Sequence, residues 1–210
     1  MLDRIHWLGH DSFRVDGPQT VYFDPYELEG ENPEADLILV SHDHGDHCSP
    51  EDIAQIQGSD TVIVTVASAA DKLSGDVRVL EPGDTIQVRG IEVHAVPAYN
   101  VNKFRSPGEP FHPKEAGYVG FVVTLGGKRI YHAGDTDHIP EMADLEEIDF
   151  ALLPVSGIYV MTAEEAAEAA GVINPDVAIP MHVGRGIGSK DAAQTFEEKA
   201  PVNVVILEME

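Results

Sequence analysis

The chain has 210 residues, enough for one sizeable core, and 37 acidic against 13 basic residues give it a formal charge of −24. A surface this negative repels nucleic acid and anionic membranes, no apolar stretch approaches the ~18 residues of a membrane span, and the lone Cys48 excludes an internal disulfide. The opening Met1-Leu2-Asp3-Arg4-Ile5-His6 lacks the basic and apolar sections of an export signal, so a cytoplasmic protein is expected, with no nucleic-acid and no membrane partner. Homo-oligomerisation is left open. The acids are scattered rather than gathered in a tail, which suits a solvated shell of the kind that high intracellular salt favours.

Short strands are predicted over 4–8, 12–16 and 20–23, with Gly17-Pro18 as a turn. The apolar run 37–41 is a further strand. A helix then opens with Ser49 as N-cap and Pro50 at its first position. Strands follow over 61–66, 77–80, 84–88 and 91–97, with a short helix after the first of these. A loop bearing Pro and Gly runs from 98 to 116. Residues 118–125 and 128–132 read as a hairpin across Gly126-Gly127.

Strands at 149–154 and 177–181 flank a helix at 163–170, which Thr162 and Glu165 start as a capping box and Gly171 is placed to end. A last helix covers 189–199 and a last strand 203–207. Strands that arrive both as meanders and between helices imply an α/β protein, with sheets covered by outer helices. No linker breaks the chain, so residues 1–210 form one domain, with two similar halves as one way to build it.

The chemistry concentrates at His42-Asp43-His44-Gly45-Asp46-His47, directly after the strand 37–41, where three of the ten histidines fall within six positions. Imidazole nitrogens and carboxylate oxygens are ligands for zinc and its first-row neighbours. This loop is expected to bind metal.

That motif, followed by His132-Ala133-Gly134-Asp135-Thr136 and then Pro180-Met181-His182, resembles the metallo-β-lactamase-fold hydrolases. The likeness runs from Trp7-Leu8-Gly9-His10 to the last strand, and within the superfamily it is similar to the compact branch related to L-ascorbate-6-phosphate lactonase. The resemblance implies a four-layer αββα sandwich with the metals between two sheets at one edge. It implies two divalent ions, Zn2+ or Mn2+. His42 and His44 would hold one; Asp46, His47 and His182 would hold the other, with Asp135 bridging. Gly134 would free the backbone to bring that carboxylate close.

The family's usual third histidine for the first ion is replaced by Asn100 in Val96-Pro97-Ala98-Tyr99-Asn100. His112, Asn100 itself or water could complete the set, and His112 is the expected ligand. His10 could face the site or serve structure, and His132 and His138 suit an orienting role better than ligation. His6, His94 and Cys48 read as structural. Lys103, Arg105 and Arg185 are candidate substrate contacts, and the glycine-rich stretch 184–189 is a weak candidate for anion binding.

The resemblance implies a metal-dependent hydrolase that uses a metal-bound hydroxide; with the length spent on the core and only the 98–116 loop as a lid, the expected substrate is a small ester-like molecule, a phosphodiester or a lactone, and an anionic one is compatible with the local charge. Asp46 would be the catalytic group that orients the nucleophile and carries its proton. The alternatives are a silent metal-binding or scaffold protein and a nucleic-acid-processing nuclease of the same fold. The latter usually has a clamp domain and a basic surface, and this chain has neither.

Overall fold

The computed structural model describes residues 1–210. The first half builds one six-stranded sheet in sequence order: β1 (Ile5–Gly9), β2 (Ser12–Val15), β3 (Val21–Phe23), β4 (Ala35–Leu39), β5 (Gln57–Thr65) and β6 (Asp76–Val79). The first three pair antiparallel across tight turns, and β3 to β6 run parallel. The second half repeats the plan. β7 (Thr85–Val88), β8 (Ile91–Pro97), β11 (Val119–Leu125) and β12 (Lys128–His132) pair antiparallel, and β13 (Phe150–Pro154) and β14 (Val177–Met181) continue parallel. The loop expected over 98–116 carries a short ribbon of its own, β9 (Phe104–Ser106) and β10 (Glu109–Pro110).

Both sheets face one continuous apolar core, in which Leu37, Ile38 and Leu39 of β4 are fully buried. A parallel strand covered on both faces reads as an unbroken apolar run, and β4 does. Of the helices α1 (Pro50–Ile56), α2 (Ala67–Ala70), α3 (Ala163–Ile173) and α4 (Lys190–Lys199), α2 packs on β6, α3 on β13 and α4 on β14. The result is a single-domain α/β sandwich of the metallo-β-lactamase type, as expected. No helix is long and apolar enough to cross a membrane.

The helix starts follow the capping chemistry of the sequence. Ser49 Oγ accepts from Asp52 N at 3.3 Å, and Thr162 and Glu165 form a reciprocal capping box. Two expectations need correction. Gly171 does not end α3; the helix runs on to Ile173 and stops at Asn174, which takes the left-handed φ of 52°. Gly171 is instead a point of close approach, where a Cβ would stand 3.0 Å from the Pro201 ring. Residues 203–207 are not a strand either. That segment makes a single bridge to Ala178 of β14, and the chain then leaves it to meet Trp7 of β1 at Met209 and Glu210, so no ladder forms.

One property of this topology positions the site. The loops that follow β1, β4, β12 and β14 all leave from carboxyl ends of strands, at the edge where open α/β sheets place their ligands. The bridge between His10 and Val183 ties the ends of β1 and β14 together across the two sheets.

Candidate metal centre

Three sets of donors converge at that edge, each with its ligand atoms within 4.8 Å of one another: His42, His44 and His112; His42, His47 and Asp135; and His10, Asp11, His47 and His182. The loop 42–47 supplies three of these side chains because β4 ends at Leu39 and the chain turns at once. Asp135 arrives from the other sheet through Gly134, whose φ is +62° and where a Cβ would stand 2.8 Å from the carbonyl of Val119. Only glycine meets both conditions.

The histidines are oriented from behind. Asp24, in the turn after β3, is buried and accepts from Ser41 N at 2.7 Å, from Ser41 Oγ at 2.6 Å and from His47 Nδ1 at 2.8 Å. With its hydroxyl proton given to Asp24, Ser41 Oγ accepts from His42 Nδ1 at 2.9 Å. Ser156 Oγ accepts in the same way from His182 Nδ1 at 2.8 Å. Asn100 Oδ1 accepts from His112 N at 2.8 Å and from His112 Nδ1 at 3.0 Å. In each case the Nδ1 proton is held outside the cluster, so the bare Nε2 points into it. Ligating histidines need this second hydrogen bond to fix tautomer and ring angle.

The Nε2 atoms of His47, His182 and His112 stand 3.4 Å from Asp135 Oδ1, 3.5 Å from Oδ2 and 3.2 Å from Oδ2. Asp11 is fully buried, with Oδ2 3.3 Å from His10 Nε2, 3.7 Å from His47 Nε2 and 4.0 Å from His182 Nε2. Several of these buried atoms have no hydrogen-bond partner: both ring nitrogens of His10, both oxygens of Asp11, Nε2 of His47 and of His182, and Oδ1 of Asp135. A buried polar atom without a partner is costly, and two buried carboxylates more so. Divalent cations would give one ligand atom of each of these side chains its partner, and the nitrogen and oxygen donors suit zinc or manganese. The residues present therefore fit metal ions.

Without ions, protons compete for the same places. Burial works against charge on His47 and His182, yet Asp135 raises both, helped at His47 by Asp24 and at His182 by Asp11; His182 is pushed up to about 8. Burial, and then the charge on His47, holds His42 well below its ordinary range. Burial raises the Asp135 carboxyl, but His47 and His182 beside it hold it well below the usual carboxylate range. Burial likewise works to raise Asp46, and the nearby His10 and His47 imidazoles more than reverse it.

The remaining candidates divide cleanly. Asp46 has a side chain 31 % exposed to the cleft, with Oδ2 3.3 Å from His10 Nε2 and 4.0 Å from His47 Nε2, so it borders the second set rather than lying inside it. Asn100 points its oxygen at His112 and its amide at the Tyr159 carbonyl, which leaves it a positioning residue. His132 holds the Asp11 carbonyl at 2.8 Å and stacks on Phe23, outside the cluster, and His138 does not join it. His6 pairs with Asp16 and Glu210, and His94 bonds Thr85, both remote from the site. Burial pushes the Cys48 thiol up to about 11, so it stays protonated.

Two of the three basic residues expected at the substrate are engaged elsewhere. Lys103 reaches Glu165 at 2.6 Å, and Arg185 in the 184–189 stretch bonds Glu29 and the carbonyls of Leu8 and Glu27. Arg105 does line the cleft, a cavity of about 540 Å³ floored by His44, Asp46, His112 and Asp135. Sequence reasoning missed Asp11 and Asp24 altogether. Each is one acid among 37, and no local pattern marks it.

Comparison with known proteins agrees with the geometry. The β-lactamase superfamily domain matches residues 4–182. The UPF0173 metal-dependent hydrolase of Methanoculleus marisnigri is 37% identical over 85% of this chain and 80% of its own, and that of Methanopyrus kandleri is 36% identical over 98% and 96%. The crystal structure of a Parabacteroides distasonis protein superposes with a TM-score of 0.84 at 35% identity, covering 98% of this chain and 93% of that one. Igni18, a metallo hydrolase from Ignicoccus hospitalis, has the same fold at 22% identity and a TM-score of 0.74, over 97% and 94% of the two chains. The strand-end clusters thus belong to a fold whose relatives are named for metal-dependent hydrolysis, and the chain is a member of the UPF0173 metal-dependent hydrolase family of the β-lactamase superfamily.

Proposed function

We propose that this chain is a hydrolase with two divalent-ion sites, acting on a small ester-like molecule, either a phosphodiester or a lactone. The observation that carries the reading is the set of seven buried donor atoms without partners at one strand-end edge, beside a cavity of about 540 Å³ that Asp135, His44 and His112 line. A cavity of this size suits a small molecule, and the charge of −24 opposes a polyanionic strand.

His42, His44 and His112 would hold one ion, and His47, His182, Asp11 and His10 the other, with Asp135 serving both. When bound, such ions lower the pKa of a coordinated water toward ~7 and polarise the carbonyl or phosphoryl oxygen under attack. The protein supplies the rest. Asp46 is held ionised and faces the cleft, so its carboxylate can take the proton of the attacking water as the new bond to carbon or phosphorus forms. It then returns that proton to the leaving oxygen as the old bond breaks. Phe111 and Tyr159 wall the cleft with apolar surface.

Assay of the metal-loaded protein on bis-p-nitrophenyl phosphate, simple lactones and single-stranded RNA tests this. Turnover of a small substrate is expected, and Asp46→Ala should lower it by about 10²–10⁴ with the fold intact. Efficient cleavage of RNA alone would mean a nuclease; firm metal binding with no turnover of any substrate would mean a silent metal-binding protein.

A further inference from the structure

Of the chain's 13 basic side chains, only Arg4, Arg105, Arg129 and Lys190 lack a carboxylate partner. In a protein of charge −24 this is a marked exception, and Arg105 alone among the four lines the cleft above the metal centre. It sits in β9, on the ribbon that stands over the site, with its guanidinium 5.5 Å from the centre of the Phe111 ring. Phe111 in turn meets Tyr159 edge to face at 4.7 Å. The cleft therefore has a metal-ligand floor and one wall made of two aromatic rings and an unpaired cation.

That wall is built rather than adventitious. Tyr159 has the left-handed φ of 67°, and its carbonyl accepts from Asn100 Nδ2 at 2.8 Å, the same asparagine that aims His112. The base of the ribbon is pinned by the buried Asp137, which accepts from Val101 N at 2.8 Å and Asn102 N at 2.9 Å. The Phe111 face lies within cation–π range of the guanidinium and no carboxylate takes its N–H groups, which arginine can offer to an oxyanion as a fork of two hydrogen bonds. With ions bound, two divalent charges balance the carboxylates of Asp11, Asp24, Asp46 and Asp135, and Arg105 tips the cleft to the positive side. The shell of acids is screened beyond ~8 Å at physiological salt.

We propose that Arg105 is the anchor for an oxyanion on the substrate, which is a small anionic ester whose apolar portion lies against Phe111 and Tyr159. The oxyanion is a carboxylate or a phosphate, set apart from the ester that reacts at the floor. This identification of the substrate rests on the hydrolase reading; the binding of the anion does not.

The test is calorimetric titration of the metal-loaded protein with benzylphosphonate, with 3-phenylpropionate and with neutral benzyl alcohol, in wild type, Arg105→Gln and Arg105→Lys. At least one of the two acids should bind more tightly than the alcohol, and the tighter one names the oxyanion. Arg105→Gln should weaken it by about ten-fold or more and Arg105→Lys by less, because lysine keeps the charge and loses the fork. Elemental analysis should show the same metal content in all three proteins. Equal affinity of the acids for wild type and Arg105→Gln, or no preference of wild type for either acid over the alcohol, overturns the proposal. Binding needs no turnover, so an anchor present in a protein that hydrolyses nothing removes the hydrolase reading alone, and hydrolysis with no such anchor removes this one alone.

Discussion

Asp24 belongs to none of the donor clusters, yet it accepts three hydrogen bonds that aim His47 and, through Ser41, His42. Asp24→Ala should therefore weaken ion binding by about 10–100-fold, the usual cost of losing such an orienting partner. Calorimetric titration with zinc checks it, and affinity equal to wild type would contradict it. Asp11 makes a sharper case. Its two oxygens are buried and unpaired, so its charge is tolerable only beside protons or ions held by His10, His47 and His182. Asp11→Asn should cut the rise in melting temperature that added metal produces, and a full metal-dependent rise in that variant would remove Asp11 from the ligand set.

The same residues set a pH dependence. In metal-free protein His182 is raised from its ordinary 6.5 to about 8, and His47 is raised as well. A base raised on folding contributes stability that is fully present below its unfolded pKa and is lost as pH rises through its folded value. Chelator-treated protein should thus melt at progressively lower temperature from pH 6.5 through about 8. Metal-loaded protein, whose imidazoles are held unprotonated by ions, should show no such fall. Parallel melts of both forms across that range decide it.

Among the elements, legibility tracked how local the cause was. The strand 37–41 with its loop 42–47 stands out because apolar run and histidines are contiguous, and the caps at Ser49 and Thr162 stand out because capping acts over three residues. Gly171 misleads because its reason for being small is Pro201, thirty residues away, and not a helix end. The tail at 203–207 looks like a strand because its alternation is real, but it bonds β14 at Ala178 alone before the chain moves on to β1 at Met209. His112 could be guessed from a missing histidine at Asn100, whereas the hydrogen bonds that join those two exist only after the ribbon folds back. Gly134 was legible in role, and it carries a test at this scale. Gly134→Ala forces a Cβ to 2.8 Å from a carbonyl at positive φ and should cost about 1–3 kcal/mol in urea unfolding. Less than half a kcal/mol would show that the Asp135 turn tolerates a side chain.

At the scale of the whole molecule, two half-repeats face each other across one core and lend their strand ends to one site. Asp135, His112 and His182 come from the second sheet, and Asp11, Asp24 and the loop 42–47 from the first. Ions bound at that edge would therefore hold the sheets together as well as serve chemistry. This gives the most direct test of the central claim, that these clusters hold two ions. Protein stripped with chelator, reconstituted with zinc or manganese and freed of excess should carry close to two equivalents per chain by elemental analysis, and His182→Ala should carry close to one. Wild-type protein that retains well under one equivalent, or a His182→Ala protein that retains as much as wild type, would contradict the account.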